Sequence, residues 1–256
     1  MSKRPLSTAE TIGFLIFGVL SLIAAWQWLV PALGVPAYIV PTPLAVLRAL
    51  ATEWHFLLSN ALPTWGEAAL GFLFGNGVGI LLAIAFVYNP RFQAAYFPIV
   101  LLFNTIPVLA LAPIIILVFG LGMLPKIIIA SLICFFPTLV NTARGLKLAT
   151  QSELDLMHVL SASGWETFWR LRAPRSAPLV FASLRIASTT CVIGAIVGEW
   201  IGSNQGLGTV IIQSTFNYQS ERLFAAVVLA ALSGIVFFAI VAQVERMFHR
   251  LQPQRN

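Results

Sequence analysis

Charged residues are scarce in this sequence. Asp, Glu, Lys and Arg together make up 9% of the chain, whereas soluble domains carry about 25%. Hydrophobic residues make up 59%, and the mean hydropathy is +0.89. This composition excludes an ordinary soluble domain and predicts a polytopic membrane protein. The net charge of +6 then indicates basic loops on the cytoplasmic side of a membrane, so we expect no nucleic-acid partner.

Recognisable catalytic and cofactor-binding motifs are also missing. The sequence has no Gly-x-x-x-x-Gly-Lys-Ser/Thr loop that could hold ATP phosphates, and no serine stands in a nucleophile-elbow context. His55, His158 and His249 fall in separate regions, which argues against a metal site. Cys134 and Cys191 lie inside apolar runs, where burial as small apolar side chains is expected. We therefore predict neither an enzyme nor a cofactor in this chain, and any energy must come from another chain or from a gradient.

Six apolar runs are long enough to cross a bilayer, whose hydrocarbon core needs about 20 helical residues. The predicted spans are residues 12–30, 68–88, 94–119, 127–143, 178–202 and 223–242. The first run also resembles a signal peptide. However, Trp26, Gln27 and Trp28 occupy the place where a small-residue cleavage site would stand, which favours an uncleaved span. The predicted fold is therefore an all-α bundle of six transmembrane helices in one domain, residues 1–256.

The basic residues indicate how these spans are oriented. With six spans, Arg48, Lys126 and Arg222 fall on one side of the membrane, and the remaining twelve of the fifteen Lys and Arg residues fall on the other. Cytoplasmic loops carry the excess of Lys and Arg. The sequence thus predicts a multi-pass inner-membrane protein with both termini in the cytoplasm.

Glycines and prolines distinguish two of the spans. Gly71, Gly75 and Gly79 are spaced by four residues, which favours close approach of another helix. The third predicted span contains three prolines, Pro98, Pro107 and Pro113. A broken span usually borders protein or a cavity, because lipid cannot satisfy loose backbone groups.

Four residues are candidates for the wall of a translocation path. Asn104, Thr105 and Pro107 lie where the third span is expected to break. Glu199 lies near the outer end of the fifth predicted span. Its carboxylate could be interfacial or paired within the protein, or it could act in gating or solute handling, since intramembrane acids are often functional.

The only long polar interruption in the second half of the chain is Gln151 to Pro174, which we call the coupling segment. Its pattern predicts two short amphipathic helices. The first is expected to be capped by Ser152 and Asp155, and the second to begin at Ser163, with Glu166 three residues later, and to stop before Pro174. Exposed aromatic side chains in such a segment mark either a helix lying on the membrane or a protein contact. They are Trp165, Phe168 and Trp169.

The coupling segment resembles the cytoplasmic loop of ABC-importer permeases, the inner-membrane components of binding-protein-dependent transport. The signature of that loop is Glu-Ala-Ala, three residues, Gly, twelve residues, Pro. It falls here on Asp155, Leu156, Met157, Ser161 and Pro174. Ser161 replaces the usual glycine, and Gly164 follows three residues later. Other stretches resemble the nitrate, sulfonate, taurine and pyrimidine-precursor branch of that family, namely residues 39–50, 106–122, 135–146, 198–200 and 206–208.

This resemblance implies a function and a set of partners. The chain would be the permease subunit of an ATP-driven importer of a small solute, with a type I importer fold. Its partners would be a cytoplasmic ATP-binding subunit that carries the ATP, an extracytoplasmic solute-binding protein, a second permease copy in a homodimer, and the lipid bilayer. The alternative is a secondary transporter or channel without an ATPase, which would favour charges buried at mid-membrane and an internal repeat.

Overall fold

The computed structural model describes residues 7–251, which contain eleven α-helices and one π-helical turn and no β-strand. The first seven helices are α1 (Thr8–Ala32), α2 (Pro43–Thr52), α3 (Trp54–Tyr88), α4 (Pro90–Thr105), α5 (Val108–Phe119), α6 (Met123–Leu146) and α7 (Gln151–Val159). The others are α8 (Gly164–Thr167), α9 (Ala173–Gly202), α10 (Leu207–Phe216) and α11 (Ser220–Leu251), with the π-helical turn Phe168–Arg172 between α8 and α9. The predicted all-α class is confirmed. Lys3, Arg4 and Arg255, which contribute to the predicted inner charge, lie outside the described residues.

Five helical stretches are long and apolar enough to cross a membrane. They are Glu10–Ala32, Trp54–Tyr88, Met123–Leu146, Gly164–Gly202 and Ser220–Phe248. A sixth crossing is possible if α4 and α5 together form one span, although their axes differ by 100°. The third predicted span is therefore divided into two distinct helices, which are separated by Ile106 and Pro107.

The second span begins much earlier than predicted. The span was predicted to start at residue 68, but α3 runs unbroken from Trp54. Pro63 and Glu67 both lie inside α3, where Glu67 is buried against Lys126.

The described residues form two compact units. One comprises the chain up to Leu58 together with Val210–Val228, and the other comprises Ser59–Thr209 and the chain from Leu229 onward. In the first unit, Arg222 forms an ion pair with Glu53, and the Trp26 and Phe224 rings lie 5.8 Å apart. The prediction of a single domain over residues 1–256 stays a prediction.

Close helix packing in the larger unit depends on small residues. The glycine stripe of α3 faces α6, where a Cβ on Gly79 would lie 2.9 Å from the Phe135 carbonyl oxygen. Helices α6 and α9 also pack closely, since a Cβ on Gly194 would lie 2.7 Å from Ala130 Cα. The expected packing role of these glycines is confirmed. Cys134 and Cys191 are fully buried in the apolar core of this unit, as expected.

Gly75→Leu is expected to disrupt the α3–α6 contact and to destabilise the protein by about 3 kcal/mol, because overpacking displaces the backbone. A Cβ at this position would already lie 2.9 Å from Ser131 Cα. Gly77→Leu is the matched control, since a Cβ on Gly77 meets nothing within 4 Å. Thermal unfolding in detergent should show a lower melting temperature for the Gly75 variant alone. Equal melting temperatures for both variants would contradict the packing.

Candidate functional site: the coupling segment and a buried polar cluster

The first helix of the coupling segment, α7, is capped two residues earlier than predicted. Thr150 Oγ1 accepts a hydrogen bond from the Glu153 N–H at 3.4 Å, and Glu153 Oε2 accepts one from the Thr150 N–H at 2.9 Å. The predicted Ser152 and Asp155 cap is therefore wrong, because both residues already lie inside α7. The Asp155 carboxylate instead accepts a hydrogen bond from the Gln151 side chain at 2.8 Å.

The second helix of the segment begins as predicted but does not stop. Ser163 and Glu166 form a reciprocal cap, with distances of 3.2 Å and 2.9 Å. The predicted end before Pro174 is wrong, because α8, the π-helical turn and α9 form one continuous helix, Gly164–Gly202. At the π-helical turn, the Ala173 N–H bonds to the Phe168 carbonyl oxygen. The wider turn leaves room for the Pro174 ring, which would clash with a carbonyl in a regular helix.

The joint between the two helices explains why a glycine suits position 161. Ser161 has φ 54°, in the left-handed region that favours glycine. The Ser161 N–H bonds to the His158 carbonyl oxygen and the Ala162 N–H to the Met157 carbonyl oxygen, both at 2.9 Å. These bonds close the end of α7 and hold Ser161 in its strained conformation.

Ser161→Gly is expected to stabilise the joint by about 1 kcal/mol, because glycine adopts the left-handed conformation without the steric cost of a Cβ. Hydrogen exchange of residues 157–162 should slow in this variant. Ser163→Gly is the matched control, since it removes the capping hydroxyl of α8 and should not slow exchange. Unchanged or faster exchange in the Ser161 variant would show that the φ value is not a source of strain.

The coupling segment presents apolar side chains to solvent. Trp165 is 70% exposed and Trp169 is 55% exposed, whereas Phe168 between them is half-buried. The Phe168 and Trp169 ring centroids lie 5.1 Å apart. A cavity of about 500 Å³ lies beside this cluster. Its lining includes Leu156, Met157, Ser161, Glu166 and Arg170. The structure thus brings three of the predicted signature residues together around one concave surface.

Ion pairs and hydrogen bonds fix the segment to the helices that follow and precede it. Glu153 of α7 pairs with Arg175 of α9. Arg172 donates a hydrogen bond to the Leu146 carbonyl oxygen at 3.0 Å, and its guanidinium carbon lies 5.7 Å from the centre of the Tyr88 ring. The segment is therefore held in one orientation at the end of the larger unit.

The predicted path residues lie at two separate places. Asn104, Thr105 and Pro107 are exposed at the bend between α4 and α5, where the Thr105 hydroxyl donates a hydrogen bond to the Leu102 carbonyl oxygen at 2.7 Å. Glu199 is only 1% exposed, in a buried polar cluster at the other end of α9 from the coupling segment. A path role for these four residues stays a prediction.

An ion pair that was not predicted from the sequence forms one half of this buried polar cluster. Lys126 Nζ lies 2.7 Å from Glu67 Oε1, with 7% and 2% of these residues exposed. Lys126 also donates to Ser203 Oγ at 2.7 Å. Lys126, which was counted among the outer basic residues, lies inside α6 and is buried. Each of the two residues stands one position outside a predicted span and their charges are opposite, but 59 residues separate them along the chain, so no local pattern shows that they pair.

The other half of the cluster caps the start of α10. Glu199 accepts hydrogen bonds from the Thr64 hydroxyl and the Gly208 N–H, both at 2.6 Å. Thr64 Oγ1 accepts one from the Leu207 N–H at 2.9 Å, and the Asn60 side chain accepts one from the Gly206 N–H at 3.0 Å. Three successive backbone amides are thus satisfied by side chains. The arrangement favours the protein-paired interpretation of Glu199.

The fold defines a polytopic membrane subunit with an exposed helical segment at one end. Residues 75–250 match the family of binding-protein-dependent transport system inner membrane components, and the chain belongs to this family. It is a permease subunit of an importer. Buried charges such as Glu67, Lys126 and Glu199 were expected of a secondary transporter. Membership of the permease family nevertheless assigns the chain to the binding-protein-dependent importers.

Relatives over most of the chain agree with this assignment. A probable ABC transporter permease from Haemophilus influenzae is 36% identical over 88% of this chain and 92% of its own. The formylaminopyrimidine transport permease ThiX of Halalkalibacterium halodurans is 33% identical over 89% and 91%. A chain of the MetNI methionine ABC transporter, solved in inward-facing conformations, superposes with a TM-score of 0.59 at 17% identity, covering 81% of this chain and 98% of that one. This structural similarity shows that the two chains share a fold.

Proposed function

We propose that the coupling segment docks on a separate ATP-binding subunit and transmits the movement of that subunit to the membrane helices. The observation that carries this proposal is an exposed aromatic and aliphatic surface beside a concave one, on helices that are braced by the Glu153–Arg175 ion pair. Large exposed apolar side chains cost free energy unless a partner covers them. ATP is bound and hydrolysed on that partner.

Both termini are proposed to lie in the cytoplasm. The burial of Lys126 with Glu67 supports this orientation, because Lys126 no longer counts as a loop charge on the outside. Only Arg48 and Arg222 then remain among the outer basic residues, and Arg222 is neutralised by Glu53. A reporter enzyme that works only in the cytoplasm should be active when fused after Asn256. Activity of an exported reporter at the same position would reverse the topology.

A second copy of this chain is proposed to complete the translocation path. The bend residues Asn104, Thr105 and Pro107 are exposed on the single chain. Polar groups and a helix break within a predicted span are costly against lipid but can line a path between two protein surfaces. Cysteine cross-linking at Asn104 in membranes should give a homodimer when the ATP-binding subunit is present. A complex with one permease copy per two ATP-binding subunits would contradict the homodimer.

The solute is proposed to be a small nutrient of the sulfonate, nitrate, taurine or pyrimidine-precursor type, selected by an extracytoplasmic solute-binding protein. The names of the relatives support this range, which includes formylaminopyrimidine and taurine permeases. The solute that raises the melting temperature of the purified binding protein identifies the cargo, because a ligand bound only by the folded state stabilises it. Uptake of that solute by proteoliposomes containing all three proteins, only when ATP is supplied, tests the whole assignment. Uptake without the ATP-binding subunit would overturn it.

A further inference from the structure

One unbroken helix joins the coupling segment to the buried polar cluster. The helix Gly164–Gly202 has 39 residues, which corresponds to a length of about 58 Å. Its first turns carry Trp165 and Trp169, and Glu199 lies in its last turn. A movement imposed on the coupling segment therefore has a continuous hydrogen-bonded route to Glu199.

At its far end, this helix is in direct contact with the start of α10. The side chains of Asn60, Thr64 and Glu199, which we call the α10 clamp, bind the backbone amides of residues 206–208. Contact is tight, since a Cβ on Gly208 would lie 2.9 Å from Glu199 Cβ, and a Cβ on Gly206 would overlap the Glu199 carboxyl group. Gly206 has φ +117°, which requires glycine in this turn.

We infer that Glu199 is a positioning residue through which displacement of the helix Gly164–Gly202 moves α10. The inference rests on the proposed docking of the coupling segment. Amides at a helix start have no acceptor within their own helix, so a shift of Glu199 either carries Gly208 and α10 along or leaves a buried amide unpaired. Thr64 of α3 is linked to the same movement, because its hydroxyl donates to the Glu199 carboxylate. Carrying α10 along is favoured, because a buried unpaired amide is costly.

The length of α10 suits it to this movement. Its 10 residues rise only about 15 Å, which is half of the hydrocarbon thickness. The first residues of α10, Leu207–Thr209, belong to the larger unit. Their movement then changes the far end of that unit when the coupling segment is displaced.

Two matched threonine variants test the inference in proteoliposomes that contain the complete importer. Thr64→Val removes the hydroxyl of the α10 clamp. Thr138→Val removes an equally buried hydroxyl, which donates to Asn76 at 2.5 Å and joins α6 to α3. With assembly and ATP hydrolysis retained, the Thr64 variant should transport about tenfold less solute per ATP, whereas the Thr138 variant should keep the native ratio. Equal ratios in the two variants would overturn the inference.

Conservative replacement of Glu199 separates positioning from packing. Glu199→Gln can still accept the Gly208 N–H and bind Thr64 through its amide, so the solute transported per ATP should remain native. Glu199→Leu keeps similar bulk without polar atoms and should lower the ratio as Thr64→Val does. A native ratio with leucine would refute a role for the carboxylate. If insertions in the coupling segment uncouple transport but the clamp variants do not, the docking proposal stands and this inference alone fails.

Discussion

Insertion of two alanines between Ser161 and Gly164 is expected to abolish ATP-driven uptake while the protein remains folded and inserted. The inserted residues lengthen the joint between α7 and α8, so that the two helices no longer present one surface. The change lies outside the buried helix contacts, because Ser161 and Gly164 are exposed. Uptake and ATP hydrolysis should be measured in proteoliposomes together with copurification of the ATP-binding subunit.

Asp155→Lys should act at the same surface through charge. Asp155 is exposed on α7, where its carboxylate binds only the neighbouring Gln151 side chain among the described hydrogen bonds. Reversal of its charge should release the ATP-binding subunit or lower uptake by at least about tenfold, in the range of measured interface charge reversals. Melting temperature should not change, because exposed charges contribute little to stability.

The control for the insertion is the same two alanines placed between Gly34 and Val35, in an exposed turn far along the chain from the coupling segment. That variant should transport normally. If the joint insertion and Asp155→Lys both bind the ATP-binding subunit and transport at the native rate, the segment lies on the membrane surface instead of docking. Binding of the isolated segment to anionic vesicles would then be the observation to seek.

The sequence predicts those parts of the structure that depend on local composition. Five of the six predicted spans correspond to one long helix each, because a run of about 20 apolar residues has few alternatives in a bilayer. The Ser163 and Glu166 cap was predicted correctly, since a capping box is a contact between near neighbours. The glycines of α3 were also assigned correctly to packing, because their spacing places them on one helix face.

Features that depend on distant partners could not be predicted. Glu67 and Lys126 were placed outside the spans because each charge, considered alone, is costly in a membrane. Only the fold shows that they neutralise each other. Pro174 was expected to end a helix, but the preceding π-helical turn accommodates it. The α10 clamp combines side chains from α3 and α9 with a turn that lies more than 140 residues after Asn60 in the sequence. A local sequence pattern cannot predict a site of this kind.

Lys126→Met is expected to destabilise the protein by about 3–5 kcal/mol, because it leaves the Glu67 carboxylate buried without its counterion. Among the described residues, Lys126 is the cation that pairs with Glu67, so no second positive charge replaces it. The Ser203 hydroxyl loses its lysine donor as well. In a chain of this size, the loss corresponds to a melting temperature lower by roughly 10 °C.

The double variant Lys126→Met with Glu67→Met should recover most of the lost stability, since replacement of both charges by apolar groups removes the unpaired ion. Arg222→Met provides a contrast, because Arg222 and Glu53 form an ion pair whose side chains are 33% and 30% exposed. Its loss should cost about 1 kcal/mol, as water replaces the partner. For the buried pair, the loss of stability in the double variant should therefore be much smaller than the sum of the losses in the two single variants. If the two values are equal, Glu67 and Lys126 do not neutralise each other in the folded protein.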